Sequence, residues 1–481
     1  MTGRAFPFAT LLFSRTATSA ILVLGPVILA RTLSVDDFGV YREYMLYVAI
    51  FLVLAGISLY ESLLYLVPIQ PKENSNPIRR VNGFVAISSV LCCGAVWVAS
   101  AHGAAESVIP FASLLALYVL VSANLDHWEF LWLAQGRAKL ASIYISLRAA
   151  GKTITASVTA LVTADVHHIL VALIAFEGIR LVASVIAFMR SKMPSGDAGV
   201  SLRAQLAYSV PLYFTNIVLM ASRLAGSLFV SLKFSSAYFA IYAVIMFFET
   251  VISIVRNTLC SILFPDIARR FIHSRGDGLV LWQKYVAMTC LLIFPAISVL
   301  WTGSGFILAA IFGKPYSAGA DLLKIFSVFL LRECFDLSAL LKALGKSMRV
   351  TQACALGLIV NLMLMYGLYR DLGMNGVMVA FVCSACIEAL ILLFMVVKTT
   401  GTSTLRLFPV RELGRLAAAA VISAAVTFFA TGAIGDSTLR NVGAIGFNVA
   451  AYVALITLFK SESLAYVRHN LLRLRTANQS G

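Results

Sequence analysis

Two cations four residues apart, Arg148 and Lys152, stand in an apolar stretch that carries no acid of its own. At that spacing they share one face of a helix. Such a pair can hold an anion, and a guanidinium meets phosphate oxygens with a planar, two-pronged fork. The same cations can instead pair with Asp126 or Glu129 in the preceding apolar stretch. Arg223 has no acid within its own stretch. Arg256 lies seven residues, two helical turns, after Glu249, so partial pairing between them is open. Arg15 near the start can meet an anionic group or extend its charged end to the nearer membrane surface. Arg15, Arg148, Lys152, Arg223 and Arg256 are therefore the candidate anion-binding residues. Asp126, Glu129 and Asp336 are the candidate ion-coupling residues, because a desolvated carboxylate can take up a proton and release it elsewhere. Structural pairing with Arg332 or Arg148 is the other reading of these acids. Glu177 and Arg180, three apart, are expected to neutralise each other.

Elsewhere the chemistry is sparse. There is no phosphate-binding glycine loop, so ATP is not expected to act on this chain. His167-His168 has no further ligands near it, and Cys383-Ser-Ala-Cys386 sits mid-stretch among small residues that suit close helix packing. No metal, no cofactor and no enzymatic activity are expected.

The stretches that position these residues are membrane spans. Of 481 residues, 60% are hydrophobic and only 12% charged, with mean hydropathy +0.90. A soluble domain is about a quarter charged. A helix crosses the hydrocarbon core with about 20 apolar residues. Spans are expected near 8–30, 42–66, 83–101, 108–131, 141–163, 168–189, 206–231, 238–263, 283–302, 321–342, 351–370, 374–397, 413–432 and 440–460. This is an all-α integral membrane protein of about fourteen transmembrane helices. The runs are continuous rather than alternating, which excludes a barrel. The first stretch is long and is followed by Arg31, Asp36 and Asp37, unlike a cleavable signal. No extramembrane segment is long enough to form a catalytic domain.

The net charge of +16 follows from topology. Assigning loops alternately, 24 Lys and Arg fall on one side and 6 on the other. The positive-inside rule then places both termini in the cytoplasm. Basic residues spread over many loops do not make a nucleic-acid surface.

A duplication is visible. Leu33-Ser-Val-Asp-Asp-Phe-Gly-Val-Tyr41 and Phe234-Ser-Ser-Ala-Tyr-Phe-Ala-Ile-Tyr242 place Ser, Phe and Tyr alike. Ala134-Gln-Gly-Arg-Ala138 and Ala343-Leu-Gly-Lys-Ser347 form a second matched pair. Each repeat holds six spans and keeps its orientation, as in transporters built from parallel repeats. The expected domains are residues 1–195, a six-helix bundle; 204–400, a second one; and 401–481, two further helices and a cytoplasmic tail. Gly25-Pro26, Pro211 and Pro295 are expected to bend their helices.

At Leu29-Ala-Arg-Thr-Leu-Ser-Val-Asp-Asp-Phe-Gly-Val-Tyr41, at Phe264-Pro-Asp-Ile-Ala268 and at the two glycine turns, the chain resembles the polysaccharide transporter family. These are flippases of the multidrug/oligosaccharidyl-lipid/polysaccharide exporter superfamily. Asp36-Asp37 departs from the Pro-Glu pair that many members carry. The resemblance implies two six-helix bundles facing each other with two helices added. It implies translocation of an undecaprenyl-pyrophosphate-linked glycan across the bacterial inner membrane by alternating access, coupled to a proton or sodium ion. Membrane lipid and other polysaccharide-assembly proteins are the implied partners. The rival functions are a drug:cation antiporter of the same superfamily and a membrane-embedded polymerase or ligase. The first would carry fewer buried cations, and the second would need a large outer loop.

Overall fold

The computed structural model describes residues 21–68, 77–101, 106–125, 127–190, 202–432 and 438–461. Among them every regular element is helical, as a chain in lipid requires, because each backbone N–H and C=O must find its partner within the segment. The chain divides into two compact units, Met1–Ala243 and Val244–Gly481.

The first unit contains α1 (Ile21–Thr32), α2 (Val35–Gly56), α3 (Leu59–Leu66), α4 (Pro77–Ala101), α5 (Ala112–Ala123), α6 (His127–Ala134), α7 (Ala138–Thr163), α8 (Val166–Arg190) and α9 (Leu202–Lys233). Helix α2 starts where Ser34 accepts a hydrogen bond from the Asp37 amide at 3.1 Å, with Asp36 and Asp37 against the positive helix end. Helix α5 packs against α2, α4 and α8. Its Tyr118 is fully buried edge-on to Tyr44 of α2. Helices α7 and α8 approach closely at Gly151, where an added Cβ would stand 2.6 Å from the Phe176 ring. Small residues serve this purpose in membranes, where packing replaces the hydrophobic drive.

The division between units falls within α10 (Ser236–His273). The second unit continues with α11 (Arg275–Phe312), α12 (Ala320–Glu333), α13 (Leu337–Ala343), α14 (Ser347–Thr400), α15 (Thr404–Leu407), α16 (Val410–Gly432) and α17 (Thr438–Leu458). Helix α11 packs on α12, α16 and α17. Ser298 of α11 donates to Asn448 Oδ1 at 2.9 Å and lies 3.4 Å from Ser423 Oγ, which ties the three helices with polar contacts.

Ten described helices are long and apolar enough to cross a membrane. The number fourteen expected above does not follow from that set, for identifiable reasons. Helix α14 carries two expected spans, separated only at Gly373, where φ is 55° and ψ −133°. Of the expected spans that are broken, α2 from α3 at Ile57 and Ser58 and α5 from α6 still contribute to the ten, whereas α12 with α13 does not; the first expected span lies partly outside the described residues, and its described part, α1, is short. Helix α7, polar on one side, lies outside the ten. Pro26 lies inside α1. Pro211 and Pro295 lie inside α9 and α11, and the non-helical residue of α11 is Gly303.

The two matched glycine segments take the same local form. At the end of α6, Gly136 (φ 73°) donates to Leu133 O, and Arg137 N donates to Trp132 O. At the end of α13, Gly345 (φ 71°) donates to Lys342 O, and Lys346 N to Leu341 O. Both are the same glycine-capped helix end, which needs a left-handed residue.

Candidate functional site

In the first unit the site is built on α7. Arg148 Nη1 stands 3.7 Å from Glu129 Oε2 of α6, and the two side chains are only partly covered. One turn further, Lys152 Nζ lies 4.8 Å from the centre of the Tyr118 ring of α5. A cation over an aromatic face in a water-poor setting is stabilised by about 2 kcal/mol. The Tyr118 hydroxyl donates to Glu177 Oε1 of α8 at 3.4 Å. Glu177 pairs with Arg180, as the spacing predicts, and Arg180 reaches the Tyr144 hydroxyl at 2.8 Å. A polar chain thus runs from α7 through α5 to α8 and back to α7.

Helix α9 supplies a second face. Asn216 donates to the Glu61 carboxylate of α3 at 3.0–3.1 Å and to Ser58 Oγ at 3.0 Å. Arg223, seven residues on and so on the same side of α9, is exposed. It forms no ion pair or hydrogen bond with any described residue. Arg15 and Asp126 lie outside the described residues.

The second unit holds a denser cluster. Arg256 of α10 pairs with Glu333 at the end of α12, and its Nε lies 3.8 Å from Asp336 Oδ2. Arg332 reaches Glu333 Oε1 at 3.0 Å and Glu388 Oε1 of α14 at 2.7 Å. Asp336, at the break between α12 and α13, also caps α13 by accepting from the Ala339 amide at 3.2 Å. A cavity of about 20 Å³, close to one water molecule, is lined by Arg256, Arg332, Glu333 and Asp336. Three carboxylates against two guanidiniums leave one negative charge when all are ionised.

The structure therefore separates the expected anion-binding residues. Arg256 is committed to carboxylates, and not to Glu249 but to Glu333 and Asp336. Arg148 and Lys152 share a face with Glu129 and Tyr118 beside them. Arg223 is open. Sequence reading offered Arg332 as a partner for the acids but marked Glu333 and Glu388 only as ionisable residues within spans, and that property is the signal by which they could have been grouped. It missed Glu43, which lies inside the span expected at 42–66, and counted Arg42 with the loop before that span. Arg42 Nε is buried without a hydrogen bond, and Glu43 is buried.

Comparison with known structures places this arrangement. The lipid II flippase MurJ, in an inward closed conformation, matches with TM-score 0.73 at 14% identity, over 94% of this chain and 98% of that one. A multidrug resistance MATE family transporter of the MOP superfamily, inward-facing, matches with TM-score 0.53 at 10% identity, over 80% of this chain and 96% of the other. A Vibrio cholerae MATE transporter gives 0.52 at 14%, over 83% and 99%. Against curated proteins the sequence has no significant match. The fold is thus that of the MurJ and MATE proteins, multi-pass and membrane-embedded. The sequence profile of the family described as "Polysaccharide biosynthesis protein" matches residues 28–320, more than half of the chain, and the protein belongs to that family.

Proposed function

We propose that this protein carries a polyprenyl-pyrophosphate-linked oligosaccharide across the bacterial inner membrane for cell-surface polysaccharide synthesis. The observation that carries the reading is Arg223: a guanidinium within a span, exposed, with no acid among the described residues to neutralise it. An unneutralised cation inside a span costs roughly 2.5–3.5 kcal/mol on insertion scales unless a polar cavity or a ligand compensates. A pyrophosphate is such a ligand. Arg148 and Lys152 extend the cationic character along α7. Family membership and the MurJ-like fold support a lipid-linked substrate over a small drug. Both termini are assigned to the cytoplasm by the charge bias of the loops.

Coupling is assigned to the cluster of Arg256, Arg332, Glu333, Asp336 and Glu388. Its odd negative charge is compensated by one proton or one sodium ion, and Asp336 sits at a helix break that can move.

The test is accumulation of lipid-linked glycan on the cytoplasmic leaflet after deletion of the gene. Wild type is expected to restore export. A normally expressed Arg223→Ala is expected to restore it at least tenfold less well, as loss of one charge-assisted contact of about 1.5–3 kcal/mol implies. Normal export in the deletion strain, with no redundant transporter, would sink the flippase assignment in favour of a drug antiporter.

A further inference from the structure

Glu43, in the third turn of α2, is 1% exposed. Its carboxyl accepts a hydrogen bond from Ser107 Oγ, and the hydroxyls of Ser231 and Ser236 face the same group. Tyr47, one turn along α2, lies with its hydroxyl 3.0 Å from Ser231 Oγ. Hydroxyl groups from α2, from the connection before α5 and from the α9–α10 turn therefore enclose the acid, all within the first unit.

No Lys, Arg or His among the described residues pairs with Glu43. The charged groups on the elements that enclose it in the first unit are Asp36, Asp37 and Arg42 on α2, Glu106 beside Ser107, and Arg203, Arg223 and Lys233 on α9. Glu106 and Lys233 are exposed to the surroundings. Arg42 is the adjacent residue, about 100° around the helix, and forms no ion pair with any described residue. The other titratable neighbours are phenols: Tyr41, Tyr44 and Tyr47 on α2, and Tyr118 on α5. An ionised carboxylate buried without a cation loses several kcal/mol of solvation and neutralises instead. Serine hydroxyls donate and accept equally well, so they satisfy the neutral acid as readily as the anion.

The enclosure depends on one close approach. Gly39, one turn before Glu43, lies against the α9–α10 turn so tightly that an added Cβ would stand 2.0 Å from the Ser236 carbonyl oxygen. Gly39 belongs to the first repeat segment, 33–41, and Ser236 to its duplicate, 234–242. The two segments press on each other one turn from the buried Glu43. By the same offset of the repeat, the residue equivalent to Glu43 is Val244, apolar and buried. Only one copy carries an acid.

We infer that Glu43 is a proton-binding site, holding its proton while α2 is pressed on the α9–α10 turn and releasing it to water when that contact opens. The proton site stands on the geometry alone; its use as a coupling step rests on the transporter assignment above.

Infrared spectroscopy tests it without any transport assay. The full chain is purified in an ester-free detergent, and the C=O stretch of neutral carboxylic acid is followed at neutral pH in H2O and D2O. Wild type is expected to show one more protonated carboxyl than Glu43→Gln, an isosteric variant that keeps the hydroxyl contacts. Gly39→Ala, which wedges the turn apart, is expected to convert that carboxyl to carboxylate at the same pH. Exchanging choline chloride for sodium chloride is expected to change nothing. Identical neutral-acid absorption in wild type and Glu43→Gln overturns the proton site. Conversion by sodium overturns it in favour of a sodium site. An unchanged signal in Gly39→Ala overturns the link to the helix contact and also serves if Glu43→Gln does not fold.

Discussion

Arg332 and its carboxylate partners show how a residue's worth depends on its neighbours. Arg332 pairs at once with Glu333 and Glu388, and both acids are nearly buried. Replacing Arg332 by Met leaves Glu388 without its counter-charge and Glu333 with Arg256 alone. Breaking a buried pair by removing one partner costs about 3–5 kcal/mol, while removing both is far milder. Arg332→Met is thus expected to lower the melting temperature in detergent clearly, and Arg332→Met with Glu388→Leu to recover part of the loss. A single variant as stable as wild type would show that the network is solvated rather than buried. Asp165 makes a smaller contribution on the surface. It caps α8, accepting from the His167 amide at 3.0 Å and from the His168 ring at 2.5 Å. The His167 amide, with His168, holds the Asp165 carboxyl below the usual carboxylate range. A folded value below the unfolded one means stabilisation present above about pH 3.9 and lost as pH falls through the lower folded value. Asp165→Ala is expected to cost about 1 kcal/mol of stability at pH 7, the ordinary worth of an N-cap, and a shrinking amount in acid. Paired thermal melts at neutral and acidic pH check this.

The elements are interrupted where the residues demand it or where the fold imposes it. Gly373 takes φ 55° and ψ −133°, a region closed to residues with a Cβ, and it separates two expected spans within α14. Gly373→Ala is expected to destabilise the protein by about 1–3 kcal/mol, read as a fall in melting temperature. No fall would mean that the connection relaxes freely. Ile57 and Ser58 are a different case. Both have positive φ, 44° and 50°, without being glycine. A β-branched residue there is strained, and nothing in the local sequence announces it. The contact that accompanies this break is remote in sequence: Asn216 of α9 holds Ser58 and Glu61 from across the unit. The glycine turns at Gly136 and Gly345 were legible because glycine is the residue that such a turn requires. The break at Ile57 was not, because tertiary contacts impose it.

At the scale of the whole molecule, lipid is the dominant constraint, and the charge bias of the loops predicts an orientation that labelling tests. A cysteine placed at Lys314 is expected to react with a membrane-impermeant maleimide on intact cells, and one at Lys346 only after permeabilisation. The reverse pattern would invert the topology and, with it, the direction of transport. The sequence by itself determined that the chain is helical, multi-spanning and rich in charges that lipid will not tolerate unpaired. Those properties are one-dimensional: span length, composition and spacing act through hydration and backbone hydrogen bonding, whatever the neighbours are. Only the tertiary structure decided which charge meets which. It joined Arg256 to Glu333 and Asp336, set Lys152 over Tyr118, left Arg223 open and sealed Glu43 among hydroxyls. Such partnerships depend on how each helix is rotated and shifted against helices distant in sequence. Hydropathy is nearly blind to rotation when all sides of a span are apolar, so packing alone settles it.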